Sequence, residues 1–324
     1  MTPEIVVASD APPALKEAVK LAQSLLLASA SDASRKGYSA DFAHFTHWTS
    51  THGLCPLPAS PETVTLYVAA MSTDYSLSTI LRRLTSIGYA HRGQPINPAS
   101  TLHPLLGAAL KGLRRTKGTA HHQKDPLLTP DVRRILSAGK GLLGIRNAAL
   151  LLVGYSSACR RQELVALNCS DVSWCSQGIL VQIRRSKTDG VAKGRTIGIP
   201  FGADETTCPV RCLKRWLDAA GISGADEPIF RGVSRYGRVS RFRLSPGSVA
   251  RIIKAAAGTA GMAEHVTNLA GHSLRAGHVS QAALAHVDEA TAMSQTGHTS
   301  PEIFRQYRRI QDIFALNSAA HLGL

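Results

Sequence analysis

Nowhere in these 324 residues does an apolar run approach the roughly 18 residues a membrane-crossing helix needs, so no transmembrane span is expected. The start, Met1-Thr2-Pro3-Glu4-Ile5, has an acid and no basic n-region, so it does not read as a signal peptide. Six cysteines, at 55, 159, 169, 175, 208 and 212, lack the spacing of a disulfide framework. Cys208-Pro-Val-Arg-Cys212 has no second Cys/His pair at a suitable distance, so no metal site is expected there. Reduced thiols in a cytoplasmic protein are the plain reading. Internal repeats and low-complexity tracts are absent as well. Acids are scarce: 22 Asp and Glu stand against 37 Lys and Arg, a formal net charge of +15. Such an excess favours a polyanionic partner, because Lys and Arg on phosphate release condensed counterions. Ribosomal and membrane-surface proteins share that balance, so it narrows the partner and not the chemistry.

What is present reads as two domains, mainly α with a small β-sheet. Tyr38, Phe42, Phe45 and Trp48 recur at spacings of four, three and three, an aromatic stripe for the core face of a helix. Ser60-Pro61-Glu62 is an N-cap followed by proline at the first helical position, and Val64, Tyr67, Val68 and Met71 share one side after it. Ser78 is read as the next cap; Ile80, Leu84 and Ile87 face inward while Arg82 and Arg83 stay wet. A further helix with Leu106, Leu110 and Leu113 inside ends in Lys111, Arg114, Arg115 and Lys117. Residues 1–14 then form a tail and 15–117 an all-helical domain. Residues 118–127, polar and basic with adjacent His121 and His122, read as a linker able to cross a phosphate backbone.

Residues 128–324 mix elements. Thr129-Pro130-Asp131 starts a helix, and residues 146–153 are strongly apolar. Ile179, Val181 and Ile183 alternate as in a half-buried strand, Asp189-Gly190 signals a turn, and residues 195–199 can return as a second strand. Helices resume at Pro209 to Ala220, with Gly221 as a stop, at Ser245-Pro246, and at Ser300-Pro301-Glu302. Arg231, Arg235, Arg238, Arg241 and Arg243 interleave with Phe230, Tyr236 and Phe242 in a stretch suited to phosphate contact, with a solvated loop as the alternative. Charge is positive on both sides: residues 1–124 hold 12 basic and 7 acidic residues, residues 125–324 hold 25 and 15.

Breaking a phosphodiester without a metal needs cations on the non-bridging oxygens, a nucleophile, a proton acceptor for it and a proton donor for the leaving 5′-oxygen. Arginine suits the first role, since its planar fork meets two phosphate oxygens and keeps its charge. In Gly271-His272-Ser-Leu-Arg275 the i,i+3 spacing lets His272 and Arg275 address one phosphate. Thr296-Gly297-His298 follows about two helices later, and Tyr307 stands nine residues after His298 on a capped helix near Arg305, Arg308 and Arg309. A phenolate lies ~4 kcal/mol uphill at neutral pH, and cationic neighbours offset part of that.

Gly271-His272-Ser-Leu-Arg275, Thr296-Gly297-His298 and Tyr307 together resemble the C-terminal signature of the tyrosine recombinases, the phage-integrase family. Arg160-Arg161-Gln162-Glu163-Leu164-Val165-Ala166-Leu167 resembles the family's first arginine box, Arg-x-x-Glu-Leu-x-x-Leu, in a register that selects Arg160 over Arg161. The departures are Cys159 where leucine is usual, the doubled arginine, and Ala276-Gly277-His278 after Arg275. The resemblance implies an all-helical core-binding domain before a mixed α+β catalytic domain. It implies that Arg160 and Arg275 clamp the scissile phosphate, with Glu163 holding an arginine in place. Lys187 would protonate the leaving 5′-oxygen, though Lys193 could substitute. His272 would be the general base or a phosphate ligand, His298 a further donor to phosphate, and Tyr307 the nucleophile of a 3′-phosphotyrosyl intermediate. His278 reads as structural. Neither metal nor ATP is needed.

By the same resemblance the partner is double-stranded DNA with a specific recombination site. The assembly is a homotetramer on DNA, a monomer possible when free, in the nucleoid-associated cytoplasm. Arg82, Arg83, Lys111, Arg114, Arg115, Arg235, Arg238 and Arg241 are the candidate DNA contacts. Ile310, Ile313, Phe314, Leu316 and Leu322 form an apolar tail that docks on its own domain or on a neighbouring protomer. A type IB topoisomerase-like nicking-closing enzyme and a non-catalytic DNA-binding regulator are the alternatives.

Overall fold

The computed structural model describes residues 12–28, 31–92, 103–118, 124–184, 194–298 and 300–305, with positions 319 and 322. The chain divides into two compact units, Met1–His122 and Gln123–Leu324. The architecture is mainly helical with small sheets, as the sequence implies.

The N-terminal unit contains α1 (Pro13–Ala28), α2 (Asp32–Thr51), α3 (Pro61–Met71), α4 (Leu77–Arg92) and α5 (Pro104–Lys117). The aromatic stripe of α2 turns Phe45 fully inward, with Phe42 and Trp48 against the same core. Val64, Tyr67, Val68 and Met71 of α3 and Ile80, Leu84 and Ile87 of α4 complete it. Ser60 caps α3 as expected, its side chain accepting from the Thr63 N–H at 3.2 Å. For α4 the cap differs from expectation: the helix already includes Leu77, and Ser76 rather than Ser78 accepts from the Thr79 N–H, at 3.3 Å.

Arg83 is a second correction, for it is buried rather than wet. Counted from Ile80, Arg83 lies three residues on and four before Ile87, on the buried face itself. Its guanidinium sits 4.0 Å from the Tyr75 ring centroid and 3.2 Å from both His44 Nε2 and Met71 Sδ. Arg82 is half-exposed and pairs with buried Asp41 at 3.0 Å. Burial raises the Tyr67 phenol to about 12 in this cluster. Lys111, Arg114 and Arg115 are exposed on α5.

The C-terminal unit begins inside the expected linker. Leu127 is buried, its N–H donates to the Ser273 carbonyl at 3.0 Å, and the Asp125 N–H donates to Asn268 at 3.1 Å. Then come α6 (Thr129–Ala138), α7 (Gly141–Ser157) and the short α8 (Arg161–Ala166). Strands β1 (Val172–Cys175), β2 (Gly178–Ile183) and β3 (Arg195–Pro200) form an antiparallel sheet in the order β1-β2-β3. Ile179 pairs with Ile199 and Val181 with Ile197, so the alternating residues of both strands enter one core. The Asp189-Gly190 turn lies outside the described residues.

Helix α9 (Pro209–Ala220) ends at Gly221 in the left-handed conformation, as expected. Cys208 caps its start through Sγ, and Trp216 is fully buried with its indole N–H on the Ile229 carbonyl at 2.8 Å. The basic-aromatic stretch is a hairpin, β4 (Arg231–Val233) and β5 (Val239–Arg243). Arg235, Arg238 and Arg241 are exposed on it, whereas Arg231 turns inward onto Glu227 at 2.8 Å. Arg243 donates to the Val165 and Leu167 carbonyls. Helices α10 (Pro246–Thr259), α11 (Ser273–Leu284), α12 (Glu289–Thr296) and α13 (Pro301–Arg305) complete the described chain. Among the described residues no helix is long and apolar enough to cross a membrane.

Candidate active site

The site is built where α7 ends, α8 begins, and the termini of α11 and α12 approach them. Helix α7 stops at Ala158, held left-handed at φ 50°, a conformation that costs a non-glycine residue about 1–2 kcal/mol. The Ala158 carbonyl accepts from Arg275 Nη1 at 2.8 Å. The same nitrogen donates to the Thr296 carbonyl at 2.6 Å. Arg275, 1% exposed, therefore pins the end of α7 to the end of α12.

Arg160 is the residue before α8. Its backbone N–H donates to Glu163 Oε2 at 2.9 Å, and its Nη1 donates to Glu163 Oε1 at 2.9 Å. A carboxylate in the first turn satisfies an otherwise unpaired N–H and complements the helix dipole. Glu163 is itself buried. Arg161 is exposed, and its side chain packs on Gly271, where an added Cβ would come within 3.0 Å of it. Of the doubled arginine, Arg160 is the one turned toward Glu163.

His298 follows Gly297, which ends α12 in the left-handed conformation at φ 68°. Its Nδ1 lies 2.8 Å from Thr296 Oγ1, and its ring meets Phe304 edge-on at 5.5 Å. Burial, then the charges of Arg275, Arg160 and Arg195, push the imidazole down to about 3. A neutral ring at physiological pH follows. Hydrogen bonds join these groups: Arg160 and Arg195 share Glu163, Arg195 holds the Gln295 carbonyl and Arg275 the Thr296 carbonyl, so all three guanidinium groups are linked to the turn that carries His298.

His272 is the exposed residue directly before α11, three positions from Arg275. His278 sits deeper on that helix, its Nδ1 2.9 Å from the Tyr155 carbonyl. Burial lowers its pKa. Burial likewise raises the Cys159 thiol, to about 11. Lys187, Lys193 and Tyr307 lie outside the described residues, as does most of the apolar tail; Leu322 is exposed.

Sequence reasoning passed over two participants. Arg195, the first residue of β3, donates Nη2 to Glu163 Oε2 at 3.3 Å and Nη1 to the Gln295 carbonyl at 2.8 Å. Gln295 Nε2 in turn reaches the Ser156 carbonyl at 2.9 Å and the Gly198 carbonyl at 3.2 Å. A strand-opening arginine carries no periodic signal, and only the left-handed Gly297 beside it hints at a close approach.

Comparison with known proteins accords with this arrangement. The family model "Phage integrase family" matches residues 127–312. The chain is 36% identical over 296 residues to the "Integrase/recombinase xerD homolog" of Selenomonas ruminantium, covering 90% of this chain and 85% of that one. In fold it resembles the Tn1549 transposon integrase in complex with transposon right end DNA, with a TM-score of 0.59 at 13% identity, covering 90% of this chain and 95% of that one. It also resembles a lambda integrase tetramer bound to a Holliday junction, with a TM-score of 0.57 at 14% identity, covering 93% and 79%. The chain belongs to the phage integrase family, the tyrosine recombinases, enzymes that cleave and rejoin DNA.

Proposed function

We propose that this site-specific recombinase cleaves DNA with Tyr307 and conserves the bond energy in a 3′-phosphotyrosyl link. The observation that supports it most is the hydrogen-bonded chain that links Arg160, through Glu163 and Arg195, and Arg275 directly, to the turn carrying His298, with both arginines prealigned by Glu163 and by backbone carbonyls. Fixed donors of this kind stabilise charge that develops on a phosphorane without reorganising during the reaction. Arg160 and Arg275 hold the non-bridging oxygens of the scissile phosphate.

The Tyr307 phenol oxygen attacks phosphorus, His272 takes the phenol proton, and the bond to the 5′-oxygen breaks as Lys187 gives that oxygen a proton. Donation by His298 to the phosphate requires its Nε2–H tautomer, in which the Thr296 hydroxyl gives its single proton to Nδ1 at 2.8 Å rather than to the Met293 carbonyl at 3.2 Å. A 5′-hydroxyl from another strand then attacks the phosphotyrosine, the phenol leaves, and both protons return. No step consumes ATP.

On this reading residues 15–117 are the core-binding domain and 128–324 the catalytic domain, with 118–127 between them in sequence, and the substrate is duplex DNA with a specific site. Arg82, Lys111, Arg114 and Arg115 contact DNA from the first, and Arg235, Arg238 and Arg241 from the second. Arg83 is left out because its guanidinium is engaged inside the N-terminal core. Four copies act on two duplexes, as a lambda integrase similar in fold forms a tetramer on a Holliday junction. The biological role is integration, excision or cointegrate resolution of a mobile element at the nucleoid.

The test is a strand-exchange assay with two site-bearing plasmids. Recombinant products support the reading, whereas relaxation without exchange points to a nicking-closing enzyme. Binding without either reaction points to a regulator.

A further inference from the structure

Arg195 occupies a place in the site that the family assignment does not give it. Its guanidinium lies between two parts of the machinery that are far apart in sequence. On one side is Glu163, which accepts from Arg160 through Oε1 and from Arg195 through Oε2. On the other is the end of α12, where Arg195 Nη1 holds the Gln295 carbonyl. Between them the guanidinium lies flat on Gly297: a Cβ there would fall 2.6 Å from Nη1, 2.8 Å from Cζ and 3.0 Å from Nε. Glycine is thus needed at 297 for the positive φ and also for room. The arginine side chain is 19% exposed, so its contacts are largely desolvated.

We propose that Arg195 is a positioning residue for strand cleavage: through Glu163 and the Thr296-Gly297-His298 turn it fixes the Arg160 guanidinium and the His298 imidazole relative to each other. Arg275 holds the same turn at the Thr296 carbonyl, so the peptide that aims His298 is gripped by two arginines. Without Arg195, Glu163 would lose one of its arginine partners and the turn one of the two arginines that grip it. Arginine suits the task because its rigid fork reaches a carboxylate on one side and a carbonyl on another, a span that a lysine ammonium cannot cover. The proposal rests on the strand-cleavage reading above.

Two measurements test it. The first uses a nicked duplex selected from random-sequence DNA for covalent capture by the wild-type chain, with single-turnover adduct formation at saturating protein. Arg195→Ala is expected to slow capture by about a hundredfold, the scale of a misplaced catalytic group, with DNA affinity unchanged within about threefold. Arg195→Lys should recover little of the rate. Gly297→Ala should also slow capture, and less so in an Arg195→Ala background, where the clash is gone and only the left-handed strain remains. Capture near the wild-type rate in Arg195→Ala, affinity lost in step with rate, or full rescue by lysine would each overturn the proposal.

The second measurement needs no DNA: histidine NMR titration of the free protein, with His298 assigned by its substitution. Among the groups that act on His298 are Arg275, Arg160, Arg195, the Thr296 hydroxyl and the Phe304 ring. Arg195→Gln removes one cation and loosens the turn, so His298 should protonate at a higher pH than in wild type. An unmoved titration refutes the positioning role. Failure to select any capturable duplex would instead defeat the strand-cleavage reading, and the titration would still decide whether Arg195 holds the turn.

Discussion

Glu163 grips Arg160 twice, through the backbone N–H and through the guanidinium, both at 2.9 Å. The residue at the N-cap of helix α8 is thereby the residue whose side chain is aimed, and one carboxylate does both. Removing it leaves the guanidinium groups of Arg160 and Arg195 without this acceptor. Breaking a buried ion pair by deleting one partner costs about 3–5 kcal/mol. Glu163→Ala is therefore expected to lower the denaturant midpoint strongly, and Glu163→Gln less, because the amide oxygen can still accept one bond. Equilibrium unfolding of the two variants checks the order.

The two clamping arginines should separate when stability and cleavage are measured side by side. Arg160→Ala and Arg275→Ala should each slow cleavage by several orders of magnitude, as loss of a preorganised charge partner does. Only Arg275→Ala strips a donor from two inward carbonyls, those of Ala158 and Thr296. Arg160→Ala leaves Glu163 its bonds to the residue 160 N–H and to Arg195. An unsatisfied buried polar group costs about 1–3 kcal/mol at each of the two carbonyls, so Arg275→Ala should also melt at a clearly lower temperature than Arg160→Ala. Equal melting temperatures would contradict the internal role given to Arg275.

His298 makes a pH prediction with a definite sign. Its imidazole is held near 3 in the fold, against an ordinary value of 6.5. Between those values the unfolded chain binds a proton that the folded chain refuses. The stability contributed by the neutral imidazole is thus fully present above about 6.5 and is lost as pH falls from there toward 3. Unfolding free energy measured from pH 7 to pH 4 should decline less steeply in His298→Gln than in wild type. A wild-type slope unaffected by the substitution would place His298 in a more open setting.

Gly277 tests the packing of the segment that opens the C-terminal unit. A Cβ at 277 would lie 1.8 Å from the Leu127 carbonyl oxygen and 3.1 Å from its nitrogen. Both are backbone atoms, and the Leu127 N–H is bonded to Ser273 on the same helix. Gly277→Ala should therefore destabilise by more than about 2 kcal/mol, beyond the ordinary small-to-large range. Thermal unfolding would show it.

Much of this was legible in the sequence, and the remainder has identifiable causes. Helical periodicity placed the stripes of α2, α3 and α4, and the arginine box register singled out Arg160 from its neighbour. Periodicity also misled at Arg83, because a charge was assumed to leave the buried face; His44, Asp41 and Tyr75, distant in sequence, supply its partners. The hairpin arginines look alike in the sequence, yet Arg231 and Arg243 turn to Glu227 and to backbone carbonyls while Arg235, Arg238 and Arg241 face solvent. Arg195 was invisible for the same reason. Its meaning comes from Glu163 and Gln295, 32 and 100 residues away.

The central claim is that Tyr307 forms a covalent bond to DNA in a site preset by Arg160, Arg275 and His298. The direct measurement is mass mapping of the protein–DNA adduct trapped on a nicked suicide duplex. The account expects a wild-type adduct with the nucleotide on the peptide that contains Tyr307, and none from Tyr307→Phe. An adduct mapped to another residue, or one that persists in Tyr307→Phe, would contradict it.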